Sequence, residues 1–347
     1  MARGNGATPA AVAPTTPNGA PDGGPILSIR DLRVSFPTED GAVQAVRGID
    51  LDVNRGELVA IVGESGSGKS VSMLAAMGLL PKGAQISGSV KVGGQELIGA
   101  SAKAQRSVRG QRMAMIFQDP LSALNPVHRI GDQIGEMLDA HQKLSKQAVN
   151  TKVVELLELV GIPQPADRTR RYPHEFSGGM RQRVMIAMAI ANDPEVLIAD
   201  EPTTALDVTV QAQILEVIQR VQRELRSAVV FITHDLGVVA RIADRVQVMY
   251  AGRSAERGEV HDLFRQPTHP YTVGLLSALP QVGRSRLLPI PGAPPNMLAP
   301  PSGCAFRARC SYAQDLCAED PPPDLRPFGA AETACRRAEE LAGVLQP

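Results

Sequence analysis

Gly63-Glu64-Ser65-Gly66-Ser67-Gly68-Lys69-Ser70 decides how this chain is read. The stretch fits G-x-x-x-x-G-K-[ST] at every fixed position. Glycines let successive backbone N–H groups curl inward around a polyphosphate. The helix that follows aims its positive end at the same anion. Lys69 is placed to reach the outer phosphates, and the Ser70 hydroxyl to ligate Mg²⁺. A Gly-rich turn that binds nothing lacks the flanks seen here. The apolar run Leu58–Val62 comes before it at strand length, and residues 69–80 have helical character up to Pro81. The pattern is strand, glycine loop, helix.

Downstream, Val196-Leu197-Ile198-Ala199-Asp200-Glu201 is an apolar run ending in two carboxylates. A buried strand delivers such a pair to its C-terminal edge, where Asp200 would hold Mg²⁺ through water and Glu201 would polarise an attacking water; a plain strand end is the alternative, and the phosphate loop upstream weighs against it. Residues 228–233 and 246–250 are further apolar strands, and residues 210–225 form an amphipathic helix between strands. Such alternation implies a mainly parallel sheet covered on both faces. Residues 26–36 and 43–53 read as strands joined through the turn signal Asp40-Gly41. Between residues 119 and 172, apolar spacings of three and four predict an inserted helical subdomain.

The 347 residues are enough for more than one domain, and 36 basic against 36 acidic side chains give no net charge. Hydrophobic residues at 43% exclude a fibrous or wholly disordered chain. Neutrality argues against a broad nucleic-acid face, and 3% aromatics without Trp argue against a base-stacking platform. The longest apolar run has eight residues, from 184 to 191, against the roughly 18 to 20 that span a bilayer. Residues 1–25 are rich in Gly, Ala and Pro and lack an apolar core. They read as a solvated tail rather than a secretory signal, which places the chain in the cytosol.

Ser177-Gly178-Gly179-Met180-Arg181-Gln182, preceded by Phe176, resembles the signature of ATP-binding cassette (ABC) ATPases, although Phe176 and Met180 depart from the usual Leu-Ser-Gly-Gly-Gln. In that family Ser177, Gly178, Gly179 and Met180 would serve a nucleotide held by the opposite subunit. Other cassette elements occur in family order. Gln118 resembles the Q-loop glutamine, which senses Mg²⁺ together with Ser70 and Asp200. Thr204-Ala205-Leu206-Asp207 looks like the D-loop of the dimer interface, and His234 like the switch histidine. Phe36 is the best-placed aromatic for stacking on adenine. The resemblance implies a P-loop α/β cassette: a mainly parallel sheet, an antiparallel β subdomain and a helical subdomain at about 119–175, all within residues 26–260. It implies Glu201, His234 and Gln118 as the catalytic set, with ATP and Mg²⁺ held by residues 63–70, Gln118, Asp200, Glu201 and His234.

Only 106 residues separate Ser70 from Ser177, too few for the long coiled coil of chromosome-maintenance ATPases. A single cassette disfavours the translation-factor group, so a soluble ABC ATPase acting on nucleic acid or ribosomes is the weaker alternative. His269-Pro270-Tyr271-Thr272 and Pro301-Ser302-Gly303-Cys304-Ala305-Phe306-Arg307-Ala308-Arg309-Cys310 resemble the C-terminal extension of oligopeptide and dipeptide importers. Asp119-Pro120-Leu121-Ser122-Ala123-Leu124-Asn125-Pro126 matches the same group, and Met180 resembles its D-type ATPase. The implied partners are a sister F-type ATPase, two transmembrane permease subunits and an extracytoplasmic solute-binding protein, with the chain at the cytoplasmic face of the membrane. No nucleic-acid partner is expected. Nickel or another small solute is an alternative cargo.

All four cysteines, Cys304, Cys310, Cys317 and Cys335, fall in the Pro-rich segment 261–347. Their gaps of five, six and seventeen residues lack the close pairs of structural zinc sites. Four thiols suit a [4Fe–4S] cluster, and resemblance to the D-type subgroup favours it, with Zn²⁺ and free thiols as the alternatives. Arg307, Arg309, Arg336 and Arg337 flank them, either offsetting an anionic cluster or forming a solvated basic rim.

Overall fold

A computed structural model describes residues 24–204, 206–279 and 289–345. Most of the N-terminal tail lies outside the described residues, as does Ala205. In chain order the strands are β1 (Leu27–Thr38), β2 (Gly41–Val53), β3 (Leu58–Val62), β4 (Gln85–Val92), β5 (Gln95–Glu96), β6 (Met113–Ile116), β7 (Val196–Asp200), β8 (Ala228–Thr233), β9 (Arg245–Tyr250), β10 (Arg253–Glu259), β11 (Arg326–Phe328) and β12 (Ala331–Thr333). One sheet is antiparallel, in the order β2-β1-β4-β5. Its β1–β2 hairpin closes over Glu39-Asp40, with Thr38 paired to Gly41. The larger sheet runs β11-β12-β10-β9-β3-β8-β7-β6. Strands β9, β3, β8, β7 and β6 are parallel, and β10, β12 and β11 continue the sheet antiparallel.

Strands β3, β7 and β8 are buried at every position, so they read as continuous apolar runs rather than alternating ones. Alternate side chains still face opposite ways. Ala60, Val62, Leu197, Ala199 and Phe231 join a core shared with the helices Ile130–Asp139, Lys146–Leu159, Gly178–Ile190 and Val208–Leu225. Val59, Ile61, Ile198, Val230 and Ile232 join a second core with Met73 and the antiparallel sheet. Each fully buried Val, Leu, Ile or Phe contributes about 1.5–3 kcal/mol relative to exposure. The parallel strands are therefore rigid, and whatever sits at their ends is firmly placed.

Two sequence expectations shift. The helix after the phosphate loop spans Lys69–Ala76, shorter than the expected 69–80. Gly78, at φ 63°, ends it: the Gly78 N–H donates to Ala75 O at 3.0 Å and the Leu79 N–H to Leu74 O at 2.9 Å. That is a glycine C-cap, which stops the helix before Pro81 acts. The C-terminal segment also supplies strands. β12 pairs with β10 through Glu256–Thr333, Arg257–Glu332 and Gly258–Ala331, so the extension continues the cassette's sheet.

Candidate active site

β3 feeds directly into the phosphate loop. A side chain at Gly63 would place its Cβ 2.2 Å from Met249 O, and one at Gly68 would place it 2.5 Å from Ala45 O. Both backbones have positive φ, 149° and 98°, so glycine is required at both positions. Gly68 stands at the N-terminus of the helix Lys69–Ala76. The Lys69 ammonium is buried and donates to Gly63 O at 2.8 Å and Glu64 O at 3.1 Å, spanning the loop. Burial lowers its pKa, while Glu201, Asp200 and Glu64 oppose that shift.

The other candidate residues reach the same sheet edge because β3, β8, β7 and β6 are successive parallel neighbours. β7 ends in Asp200, and Ser70 Oγ donates to Asp200 Oδ1 at 2.8 Å. Burial raises the Asp200 pKa and the neighbouring Glu201 adds to this, against the Ser70 hydrogen bond and Lys69. A buried carboxylate with a hydroxyl beside it is a hard oxygen pair, and these donors fit Mg²⁺. A cation there would also offset the burial that disfavours the Asp200 charge.

Glu201 follows at φ 46°, a left-handed conformation that costs a non-glycine residue about 1–3 kcal/mol. Its N–H donates to Ile232 O at 3.0 Å, which pins the residue to β8. The turn aims its carboxylate at three partners. Gln118 Nε2, just past β6, donates to Oε2 at 3.2 Å. Thr204 Oγ1 donates to the same oxygen at 2.9 Å. His234 Nδ1, just past β8, lies 3.5 Å from Oε1. Glutamine, glutamate and histidine thus converge from three strands. Gln118 bonds Glu201, while Ser70 bonds Asp200. Thr204 was read only as part of the D-loop, and its role as a Glu201 partner was not legible.

The remaining expected residues stand in separate places. Ser177 caps the helix Gly178–Ile190, its Oγ accepting from Met180 N at 3.3 Å. Ser177 and Gly178 are exposed, and Met180 packs in part on the larger core. Asp207 caps the helix Val208–Leu225, accepting from Val210 N at 3.0 Å, and Leu206 N donates to Thr203 O. Phe36 is half-buried against the second core and pairs with Val43.

The extension reaches the phosphate loop, which the sequence did not disclose. Tyr271 is fully buried, and its hydroxyl accepts from Glu64 N at 2.9 Å. Tyr271 packs with Tyr250 and Phe306, at ring centroid distances of 4.6 and 5.3 Å. His269 caps Tyr271 N at 3.1 Å, and complete burial pushes its pKa down to about 4, keeping the ring neutral. Arg309 departs from the solvated basic rim: its side chain is 5% exposed and paired with Glu64. Arg337 meets Glu340, and Arg336 meets Glu319.

The four cysteines line one pocket with His269 and Phe306, and Cys304 N donates to Cys317 O at 2.8 Å. Burial pushes the Cys304 and Cys310 thiols up, and that of Cys335 up to about 12. Among the described residues, no group of three or more His, Cys, Asp or Glu is arranged to hold a metal ion. The four thiols are gathered on one pocket and offer soft donors. Their protons must leave before a metal binds. Among the described residues no helix is long and apolar enough to cross a membrane.

Known proteins share both parts of this architecture. The ABC transporter family matches residues 46–204, and the oligopeptide/dipeptide transporter C-terminal region matches residues 255–317. The oligopeptide transport ATP-binding protein OppD of Bacillus subtilis is 52% identical over 303 residues, covering 86% of this chain and 85% of that one. The dipeptide transport ATP-binding protein DppD of the same organism is 53% identical over 296 residues, covering 84% and 88%. Among solved structures, the dimeric cassette MJ0796 bound to ADP and Pi aligns with a TM-score of 0.60 at 23% identity, over 67% of this chain and 98% of that one, a likeness of fold. The chain belongs to the ATP-binding proteins of ABC transporters, in the branch that carries the oligopeptide/dipeptide transporter C-terminal region.

Proposed function

We propose that this chain is the ATP-hydrolysing subunit of an importer for dipeptides or oligopeptides, with the reaction centred on Glu201. The observation that carries this reading is the convergence of Gln118, Thr204 and His234 on the Glu201 carboxylate, beside the Lys69–Ser70–Asp200 cluster. OppD and DppD of Bacillus subtilis match almost equally well, so cargo length is left open between them. A nickel cargo or a nucleic-acid role has no comparable support.

In this mechanism the backbone N–H groups of residues 63–70 hold the polyphosphate and Lys69 turns from its loop carbonyls to the outer phosphates. Ser70 and Asp200 would hold Mg²⁺, which neutralises phosphate charge when bound. Glu201 orients and polarises the attacking water, while Gln118, Thr204 and His234 fix its carboxylate. Catalysis rests on positioning and electrostatics. The helix start Ser177–Met180, exposed at Ser177 and Gly178, presents N–H groups to a nucleotide on a second cassette. That cassette is the sister F-type ATPase, with Leu206, Asp207 and the undescribed Ala205 at the junction. Phe36 supplies the adenine contact. The assembly sits at the cytoplasmic face of the membrane on two permease subunits and receives cargo from a solute-binding protein.

Purification of the full complex from membranes tests the assignment. Two integral membrane proteins are expected to accompany the chain, with ATPase activity that rises when peptide-loaded binding protein is added. Co-purification with RNA and no membrane subunit would refute the importer. For the extension, we propose that Cys304, Cys310, Cys317 and Cys335 hold a [4Fe–4S] cluster, with Zn²⁺ as the alternative. The soft four-thiol donor set in one pocket supports it. Anaerobic purification is expected to give a brown protein with about four irons per chain. Zinc without visible absorption would favour the alternative, and neither metal would refute both.

A further inference from the structure

The phosphate loop is braced by a residue 245 positions later in the chain. Arg309 lies in the short turn Arg307–Arg309, between Cys304 and Cys310. Its two terminal nitrogens grip Glu64 as a fork, Nη1 on Oε2 at 2.5 Å and Nη2 on Oε1 at 2.9 Å. Nε donates to Pro291 O at 2.8 Å, Nη1 also to Tyr250 Oη at 3.3 Å, and Nη2 also to Ile290 O at 3.4 Å. All five N–H donors of the guanidinium therefore have acceptors. The cation also lies 5.8 Å from the Tyr250 ring centroid and 5.9 Å from that of Phe306. A nearly buried arginine with every donor used is rigid, and it fixes the Glu64 side chain. Tyr271 fixes the Glu64 backbone N–H from the same side.

We propose that Arg309 is a positioning residue for ATP: acting through Glu64, it holds the phosphate loop in its binding curvature and neutralises a carboxylate that would otherwise repel the polyphosphate. The C-terminal extension is in this respect part of the ATP site. With Arg309 nearly buried and Glu64 partly so, losing Arg309 alone leaves an uncompensated carboxylate, whereas removing both charges leaves none. The damage from losing Arg309 alone should thus be undone by also removing the Glu64 charge. This inference rests on the loop's being the ATP site, which Lys69→Ala tests separately because that substitution removes ATP whether or not Arg309 acts.

The test is steady-state ATPase of the assembled transporter. Arg309→Gln is expected to raise the ATP KM about tenfold and leave kcat within about twofold, because Glu201 and its partners are untouched. The double variant Arg309→Gln with Glu64→Gln is expected to return KM to within about threefold of the parent. Arg309→Lys keeps the charge and loses the fork, and should raise KM about threefold, which covers the case in which the glutamine variant does not fold. An unchanged KM in either single variant, or a double variant as impaired as Arg309→Gln, overturns the proposal.

Discussion

A Glu201→Gln chain is expected to bind ATP normally and to hydrolyse it about a thousandfold more slowly, the scale of loss for a general base. That is roughly 4 kcal/mol on the barrier. The substitution is close to isosteric. The amide keeps one oxygen to accept from Thr204 or Gln118, and the left-handed turn at Glu201 is held by its own N–H on Ile232 O rather than by the side chain. What it loses is the second acceptor and the charge that polarises water. ATP therefore stays bound, and the paired cassettes are expected to accumulate in the closed form. ATPase turnover of the assembled transporter, read beside equilibrium ATP binding, checks both halves. Turnover near that of the parent would remove Glu201 from the mechanism.

Lys69→Ala attacks the earlier step. The ammonium sits inside the loop on Gly63 O and Glu64 O, at the point where a polyphosphate would offer far stronger acceptors. Charge-assisted contacts of this kind are worth about 1.5–3 kcal/mol each. Loss of the side chain should weaken ATP binding about a hundredfold, a difference of roughly 3 kcal/mol. Direct titration with ATP measures it, and unchanged affinity would contradict the reading of the loop. The two variants are expected to separate cleanly, since Lys69→Ala fails to bind whereas Glu201→Gln binds and stalls.

How much of this was legible follows from the range of each interaction. The phosphate loop was readable because its chemistry is local: Gly63, Gly68, Lys69 and Ser70 lie within one turn. The apolar runs of β3, β7 and β8 were readable because strands buried on both faces are apolar along their length, with polar residues only at the C-terminal ends of β7 and β8. The end of the helix Lys69–Ala76 was misplaced because Pro81 drew the boundary, while Gly78 had already capped the helix. The meeting of Gln118, Glu201 and His234 depends on β6, β7 and β8 being neighbours, an order that sequence spacing does not state. The Arg309–Glu64 pair was not legible at all. Any arginine near the cysteines has the same charge, and only the fold selects one of them for burial. β11 and β12 were missed for a similar reason: three-residue strands carry no periodicity and exist because β10 offers an edge.

The central claim is that ATP turnover at Glu201 drives peptide import. Its most direct test is accumulation of labelled peptide by sealed vesicles that carry the full transporter, with ATP supplied on the side of this chain. With the parent chain, uptake should require both ATP and the peptide-binding protein, and with Glu201→Gln it should fall to the level seen without ATP. Peptide accumulation that continues in the Glu201→Gln transporter, or that proceeds in the parent without ATP, would contradict the account.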